Sequence, residues 1–370
     1  MQLDYTIDKN QYKTTLCNNK ESPDIFKALS KLYSDKKMLI VIDKKLNKQF
    51  KKYLFKDLKL CGLKLEVLKV NASKKNKNEK FLFKIINKLI KSKFTKKSVL
   101  LSCGGGVIGD VSALASSLYL RGLIYFHIPT TMTSIVDSCL GGKTGINYKG
   151  IINSLGNYYH AKNVFISKNV IKLIPAREYF AGIPEIIKCG LIDNQKILKI
   201  VKKDFNKIIS RDFKTLSKLI SLSLKTKIKF FKNDVYENST RLNLNFGHTF
   251  AHAIEMALEG REKEFIRHGE AVGIGILCEI FYTEKYSKNF KNVCSLLKIY
   301  NLPTCLNDLR IKKNQKLEKA IFNNIFLDKK KISKYPRIIK IKNNRKPNIF
   351  EMRDNNKIKN TIRKVIFKTN

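Results

Sequence analysis

Histidine is scarce in this chain, five in 370 residues, and basic side chains outnumber acidic ones 74 to 30. Further absences narrow the field. The eight cysteines (Cys17, Cys61, Cys103, Cys139, Cys189, Cys278, Cys294 and Cys305) include no CxxC pair and no regular spacing, so a reduced, cytoplasmic protein is expected rather than a disulfide framework. No apolar run is long enough to cross a membrane, and the best, Ala271 to Ile280, is interrupted by Glu279. Met1 to Asp8 carries charge where a signal peptide has its apolar core. The sequence shows no fixed-period repeat and no Pro/Gly/Ser-rich linker. These features together predict a soluble protein that makes no use of a membrane.

The length exceeds that at which one hydrophobic core keeps growing, so two domains are expected. A net charge of +44 ordinarily points to nucleic acid or an anionic surface. Here lysine recurs in nearly every segment beside Asn and Ile rather than in one stripe. That pattern reads as drift toward A/T-rich codons more than as polyanion binding, and nucleic acid is not the expected partner.

Met38 to Asp43, Leu63 to Val70, Ser98 to Cys103 and Leu123 to Ile128 read as short buried strands, alternating with helices at Phe81 to Lys91 and Val111 to Leu120. This alternation predicts an α/β domain with a parallel sheet over residues 1–167. Beyond it, Glu178 to Leu191, Gln195 to Ile209, Phe213 to Phe231, Gly247 to Leu258 and Gly269 to Tyr286 have helical periodicity, so residues 168–370 are expected to form a mostly α-helical domain. The basic tail, 340–370, reads as a peripheral helix.

Three features carry chemistry. Gly104, Gly106 and Gly109 fit G-x-G-x-x-G after a strand and before a helix, the setting of a pyrophosphate cradle, although a plain tight turn fits the same residues. The Gly142-Lys143-Thr144 run ends like a phosphate loop, but Asp137 stands where the first glycine belongs, which excludes a nucleotide triphosphatase and leaves an acid and a lysine in a polar loop. Third, three of the five histidines fall within 21 residues. His248 and His252, four apart on a predicted helix, share a face and are both candidate zinc ligands; His268 is a further donor, and Glu185 a carboxylate one turn from Lys188 in an otherwise apolar helix. Lys227, Asp234, Glu237, Arg241 and Asn245 form a polar series leading up to His248.

Taken in order, Gly104-Gly-Gly-Val-Ile-Gly-Asp110, Tyr119-Leu-Arg-Gly122, Pro129-Thr-Thr131, Val136-Asp-Ser138, Gly141-Gly-Lys-Thr144, Pro184-Glu-Ile-Ile-Lys188, Asn245 through Glu255, His268-Gly-Glu-Ala-Val272 and Asp328-Lys-Lys330 closely resemble the 3-dehydroquinate synthase family of sugar-phosphate cyclases. The resemblance spans about residues 38 to 335. It implies an N-terminal NAD-binding domain, a helical metal-binding domain with zinc (or cobalt) at the cleft between them, and a homodimer. The metal ligands it implies are Glu185, His248 and His268, with His252 released to the substrate phosphate. For NAD it implies Asp43, Gly105, Gly106, Val107, Asp110, Thr130, Thr131, Asp137, Lys143 and Asn153. For substrate and catalysis it implies Asp137, Lys143, Asn153, Lys188, Lys227, Glu237, Arg241, Asn245, His252, the pair Lys329 and Lys330, and Arg121 from a second subunit. The activity implied is cyclisation of 3-deoxy-D-arabino-heptulosonate 7-phosphate to 3-dehydroquinate with loss of phosphate, using catalytic NAD, in the shikimate pathway to aromatic amino acids.

The chain departs from the family pattern at Ile152, where a lysine is usual, and at Leu173 and Val235. Lys149 is the nearest replacement for that lysine, and the family's acid-x-x-Lys element has no clear counterpart between Ser73 and Lys80. Two other enzymes are alternatives: a metal-dependent polyol dehydrogenase, which needs no receptor such as Arg241 and Lys227, and a cyclase acting on a hexose phosphate.

Overall fold

The computed structural model describes residues 1–17, 37–59, 64–261, 265–327, 335–341 and 347–368. Lys329 and Lys330 lie outside the described residues. The chain forms two compact units, Met1–Tyr179 with Phe231–Tyr236, and Phe180–Phe230 with Glu237–Asn370. The boundary expected at 167/168 precedes two short helices, Lys168–Leu173 and Ala176–Phe180.

The first unit is built on a seven-stranded sheet. Its strands are β1 (Gln2–Ile7), β2 (Asn10–Cys17), β3 (Lys37–Asp43), β4 (Lys64–Val70), β5 (Val99–Gly104), β6 (Ile124–Pro129) and β9 (Asn163–Ser167), in the order β1-β2-β9-β6-β5-β3-β4. Only β1 and β2 pair antiparallel; every other pair is parallel. Every residue of β5 is buried, and β3 is buried from Met38 to Ile42 with only its two end residues partly exposed, the pattern of central strands covered on both faces. The chain runs from β3 outward to β4, then returns to the other side of β3 to form β5. Such a reversal opens a crevice at the carboxyl ends of the two strands. Asp43 ends β3, and Gly104 ends β5 just before helix α1 (Gly106–Leu118). A small antiparallel pair, β7 (Ile146–Tyr148) and β8 (Ile151–Leu155), lies outside the sheet. Neither it, the β1–β2 hairpin nor β9 was expected from sequence.

The second unit is mostly helical. Helix α2 (Ile183–Ile192) carries Glu185 and Lys188, α3 (His248–Ala257) carries His248, His252 and Glu255, and α4 (His268–Glu284) carries His268. The segments expected as continuous helices at 178–191 and 195–209 are each broken, the first at Ala181-Gly182 and the second at Asp204. Pro184 in the first turn of α2 sits where its missing N–H costs nothing. Two glycines set how closely these helices pack. A Cβ on Gly269 would lie 1.6 Å from the Ala181 carbonyl oxygen, and one on Gly275 would lie 1.9 Å from that of Gly247. Backbone therefore meets backbone on both sides of α4, at the segments that lead into α2 and α3.

The tail is not peripheral. Strands β10 (Arg337–Ile341) and β11 (Pro347–Glu351) form a hairpin, followed by a helix at Asn355–Thr361 that widens through Ile362–Ile366. Ile358, Ile362, Val365, Ile366 and Phe367 are buried and pack on α4. Repeated Ile at helical spacing supplies the apolar face, and the lysines occupy the other side. Replacing Ile362, fully buried, with Ala is expected to destabilise the protein by about 2–5 kcal/mol. Denaturant unfolding measures this, and a change within about 0.5 kcal/mol, typical of a surface position, would contradict the burial.

Candidate active site

Glu185 and Lys188 lie one turn apart on α2, each only 1% exposed, with Lys188 Nζ 2.5 Å from Glu185 Oε2. Burying both charges is tolerable because they pair. Both carboxylate oxygens are buried without a hydrogen bond; the ion pair engages Oε2, and Oε1 lies 3.7 Å from His248 Nε2 and 3.5 Å from His268 Nε2. Those separations are long for hydrogen bonds. They match the edge of a tetrahedron around a cation about 2.1 Å from each ligand, roughly 3.4 Å. The three residues form a group able to hold a metal ion.

The remaining ring nitrogens are already engaged. His248 Nδ1 lies 3.2 Å from the Phe246 carbonyl oxygen, and His268 Nδ1 lies 3.0 Å from Glu255 Oε2. Gly247, with φ of +83°, turns the chain into α3, and the Glu270 carboxylate accepts from the Arg267 N–H at 2.8 Å to cap α4 beside His268. Burial alone would keep the His268 ring neutral, yet the carboxylates of Glu255 and Glu185 outweigh it and hold the pKa up at about 10. A cation held at this point would take the place of that proton. His252, expected from sequence as a possible ligand, is exposed and stays outside this trio, though its ring centroid is 5.4 Å from that of His248.

Around the trio, the short helix Thr240–Asn245 carries Arg241, 4% exposed, and Asn245. The Asn245 side-chain amide donates to Glu237 Oε1 at 2.7 Å. Lys227 is 5% exposed. Asn245, His248, His252 and Arg337 line one recess, together with apolar residues from Leu242 and the β10–β11 hairpin.

In the first unit, the glycine turn after β5 is held to the next strand end by Thr130 N–H donating to the Gly104 carbonyl oxygen at 3.0 Å. Gly105, Gly106, Val107 and Thr131 are partly exposed there, and Thr130 is 7% exposed. Asp110 on α1 lies 2.5 Å from Lys77 Nζ, which also reaches Asn153 Oδ1 at 2.6 Å. Burial pushes the Asp110 pKa up, and Lys77 opposes that shift. Lys77 is thus a lysine between Ser73 and Lys80 that meets Asp110 and Asn153, although Lys74 rather than an acid stands three residues before it, whereas Lys149 lies over the Tyr148 ring. Asp137 is partly exposed near Asp110, and Lys143 is exposed in the following loop. The Asp43 carboxylate accepts from the Lys45 N–H at 3.0 Å. Arg121 is exposed in a turn with φ of +62°.

Glu279 also escaped the sequence reading, because a lone acid in an apolar helix gives no motif. It is fully buried, and its Oε2 accepts from Ile339 N–H on β10 at 2.9 Å. Burial pushes its pKa up to about 8, against the pull of the N–H groups of Ile339, Gly247 and Thr249 and of the Lys188 charge.

The fold is that of the sugar-phosphate cyclases. It is shared with 2-epi-5-epi-valiolone synthase from Streptomyces hygroscopicus, solved with NAD+ and Zn2+ bound, at a TM-score of 0.81, 18% identity and 97% coverage of each chain. A 2-deoxy-scyllo-inosose synthase, solved with carbaglucose-6-phosphate, NAD+ and Co2+, has the same TM-score at 21% identity, covering 99% of this chain and 100% of its own. Family models for the N-terminal and C-terminal parts of 3-dehydroquinate synthase match residues 67–181 and 182–331. The 3-dehydroquinate synthase of Ruminiclostridium cellulolyticum is 32% identical over 330 residues, 88% of this chain and 89% of that protein. The chain belongs to the 3-dehydroquinate synthase family and is an enzyme of that family.

A carboxyl whose folded pKa exceeds its unfolded value stabilises the fold fully below the unfolded pKa, and that contribution is lost as pH rises through the folded value. Glu279→Gln is therefore expected to flatten the decline in stability between about pH 5 and pH 8. Unfolding at a series of pH values tests this, and parallel curves for the two proteins would refute it.

Proposed function

We propose that this protein converts 3-deoxy-D-arabino-heptulosonate 7-phosphate to 3-dehydroquinate and phosphate, as a phosphate-eliminating lyase that uses bound NAD and zinc, with cobalt a substitute. The observation that carries the reading is the buried Glu185 Oε1 facing the Nε2 atoms of His248 and His268 at 3.7 and 3.5 Å, in a chain of this family. When bound, the cation lowers the pKa of the substrate hydroxyl to be oxidised and NAD holds the electrons until their return, so neither is consumed.

The residues of this chain do the rest by binding and orienting. Lys188 fixes Glu185 through Oε2 and so leaves Oε1 for the metal. The substrate is anionic at both ends, and Lys227, Arg241, Asn245, His252, Lys143, Asn153 and the Lys329/Lys330 pair are assigned to its carboxylate and phosphate, as is Arg121 of a second subunit. Glu237 holds the Asn245 amide in place. Asp43, Gly105, Gly106, Val107, Asp110, Thr130, Thr131, Asp137, Lys143 and Asn153 are assigned to NAD. In support, Asp43 and the glycine turn stand at the carboxyl ends of β3 and β5, where the sheet order reverses and nucleotides bind. One substrate held through oxidation, elimination, reduction and ring closure makes positioning the main contribution of the protein. The enzyme is assigned to the cytoplasm as a homodimer, without a nucleic-acid partner.

Phosphate release from the seven-carbon keto acid phosphate, with NAD and zinc added or withheld, tests the reading. Release is expected only with both, and Glu185→Gln is expected to lose zinc and turnover while staying folded. Net NADH production from a simple polyol would instead indicate a dehydrogenase. Arg241→Ala should raise the barrier in kcat/KM by roughly 2–5 kcal/mol, the cost of truncating one partner of a buried charge pair. Unchanged kinetics would place Arg241 outside the site.

A further inference from the structure

A neutral imidazole has one N–H, and a ring that offers Nε2 to a cation must carry its proton on Nδ1 and place it against an acceptor. His248 and His268 meet this requirement differently. For His248 the acceptor is the Phe246 backbone oxygen, fixed by the turn into α3. For His268 it is a side chain from the other ligand helix: Glu255 Oε2, 3.0 Å from Nδ1. His268 is also the more exposed ring, 31% against 12% for His248, so water competes more strongly for its orientation. Glu255 is only 11% exposed and stands two turns along α3 from His248.

We propose that Glu255 is a positioning residue for the metal: it accepts the Nδ1 proton of His268, turns Nε2 toward Glu185 Oε1, and ties α3 to α4. The inference rests on the metal site proposed above. A competing arrangement is a cation held by His252, Glu255 and His268, whose donor atoms also lie close together. The distances favour the first. The 3.0 Å contact between His268 Nδ1 and Glu255 is that of a hydrogen bond and is shorter than the edge of a zinc tetrahedron, roughly 3.4 Å, whereas the contacts to Glu185 match that edge.

The test is competition for zinc between a chromophoric chelator and the full-length protein, for the native chain, Glu255→Gln and Glu255→Ala. One zinc per chain is expected. Affinity should be about 10–100-fold weaker in the Ala variant and intermediate in the Gln variant, whose amide oxygen still accepts the proton. Nitrogen NMR of the zinc-loaded native protein should show His268 protonated at Nδ1 and metal-bound at Nε2; this spectrum and the near-isosteric Gln variant decide the matter if the Ala variant does not fold. Equal affinities in all three proteins would overturn the proposal and leave the metal site standing. So would a second, weaker zinc whose loss is the sole effect of the substitutions. A native protein that binds no zinc would overturn both.

Discussion

Three donor atoms from three helices converge in this protein because backbone can approach backbone on either side of α4. Gly269 admits the Ala181 carbonyl just ahead of α2, and Gly275 admits Gly247 just ahead of α3. Any side chain at either position would push a ligand helix outward, and a separation of 3.5 Å between donor atoms leaves no room for such a shift. The polar groups depend on the same approach. Lys188 neutralises the buried Glu185, Glu270 caps α4, and Glu279 extends from α4 to the β10–β11 hairpin. The metal-type site is thus a property of the packed second unit rather than of any one motif.

The first unit follows a different logic. Its site is a consequence of strand order, because Asp43 and Gly104 become neighbours only when β5 returns to the far side of β3. Lys77 then links Asp110 to Asn153 at 2.5 and 2.6 Å, joining α1 to β8. This link places a positive charge beside Asn153, next in sequence to the uncharged Ile152, from another segment of the chain.

Much of this was legible in the sequence. Apolar runs marked β3, β5 and β6, the Leu and Val residues interleaved with charge marked β4, in which only Val70 is buried, and the glycines after β5 marked the turn. The pairing of His248 with His252 on one helix face was also readable, but helical spacing left both as candidates and only the family resemblance chose His248, since the grouping depends on Glu185 and His268 arriving from other helices. Lys77 was hidden because lysine is everywhere in this chain and one more carries no signal. The same dilution disguised the tail, where Ile358, Ile362 and Ile366 keep helical spacing among basic neighbours. Strand β9 is short, and β1 alternates exposed with buried residues instead of forming an apolar run like those of β5 and β6.

The buried tail also bears on how the protein is made. Residues 358 to 367 cover α4, so a nascent chain still threaded through the ribosomal exit lacks one wall of the helix that bears His268. Until residues 358–367 dock, the apolar side of α4 that they cover stays in solvent, so the second unit completes its core with this last described turn of helix rather than before it.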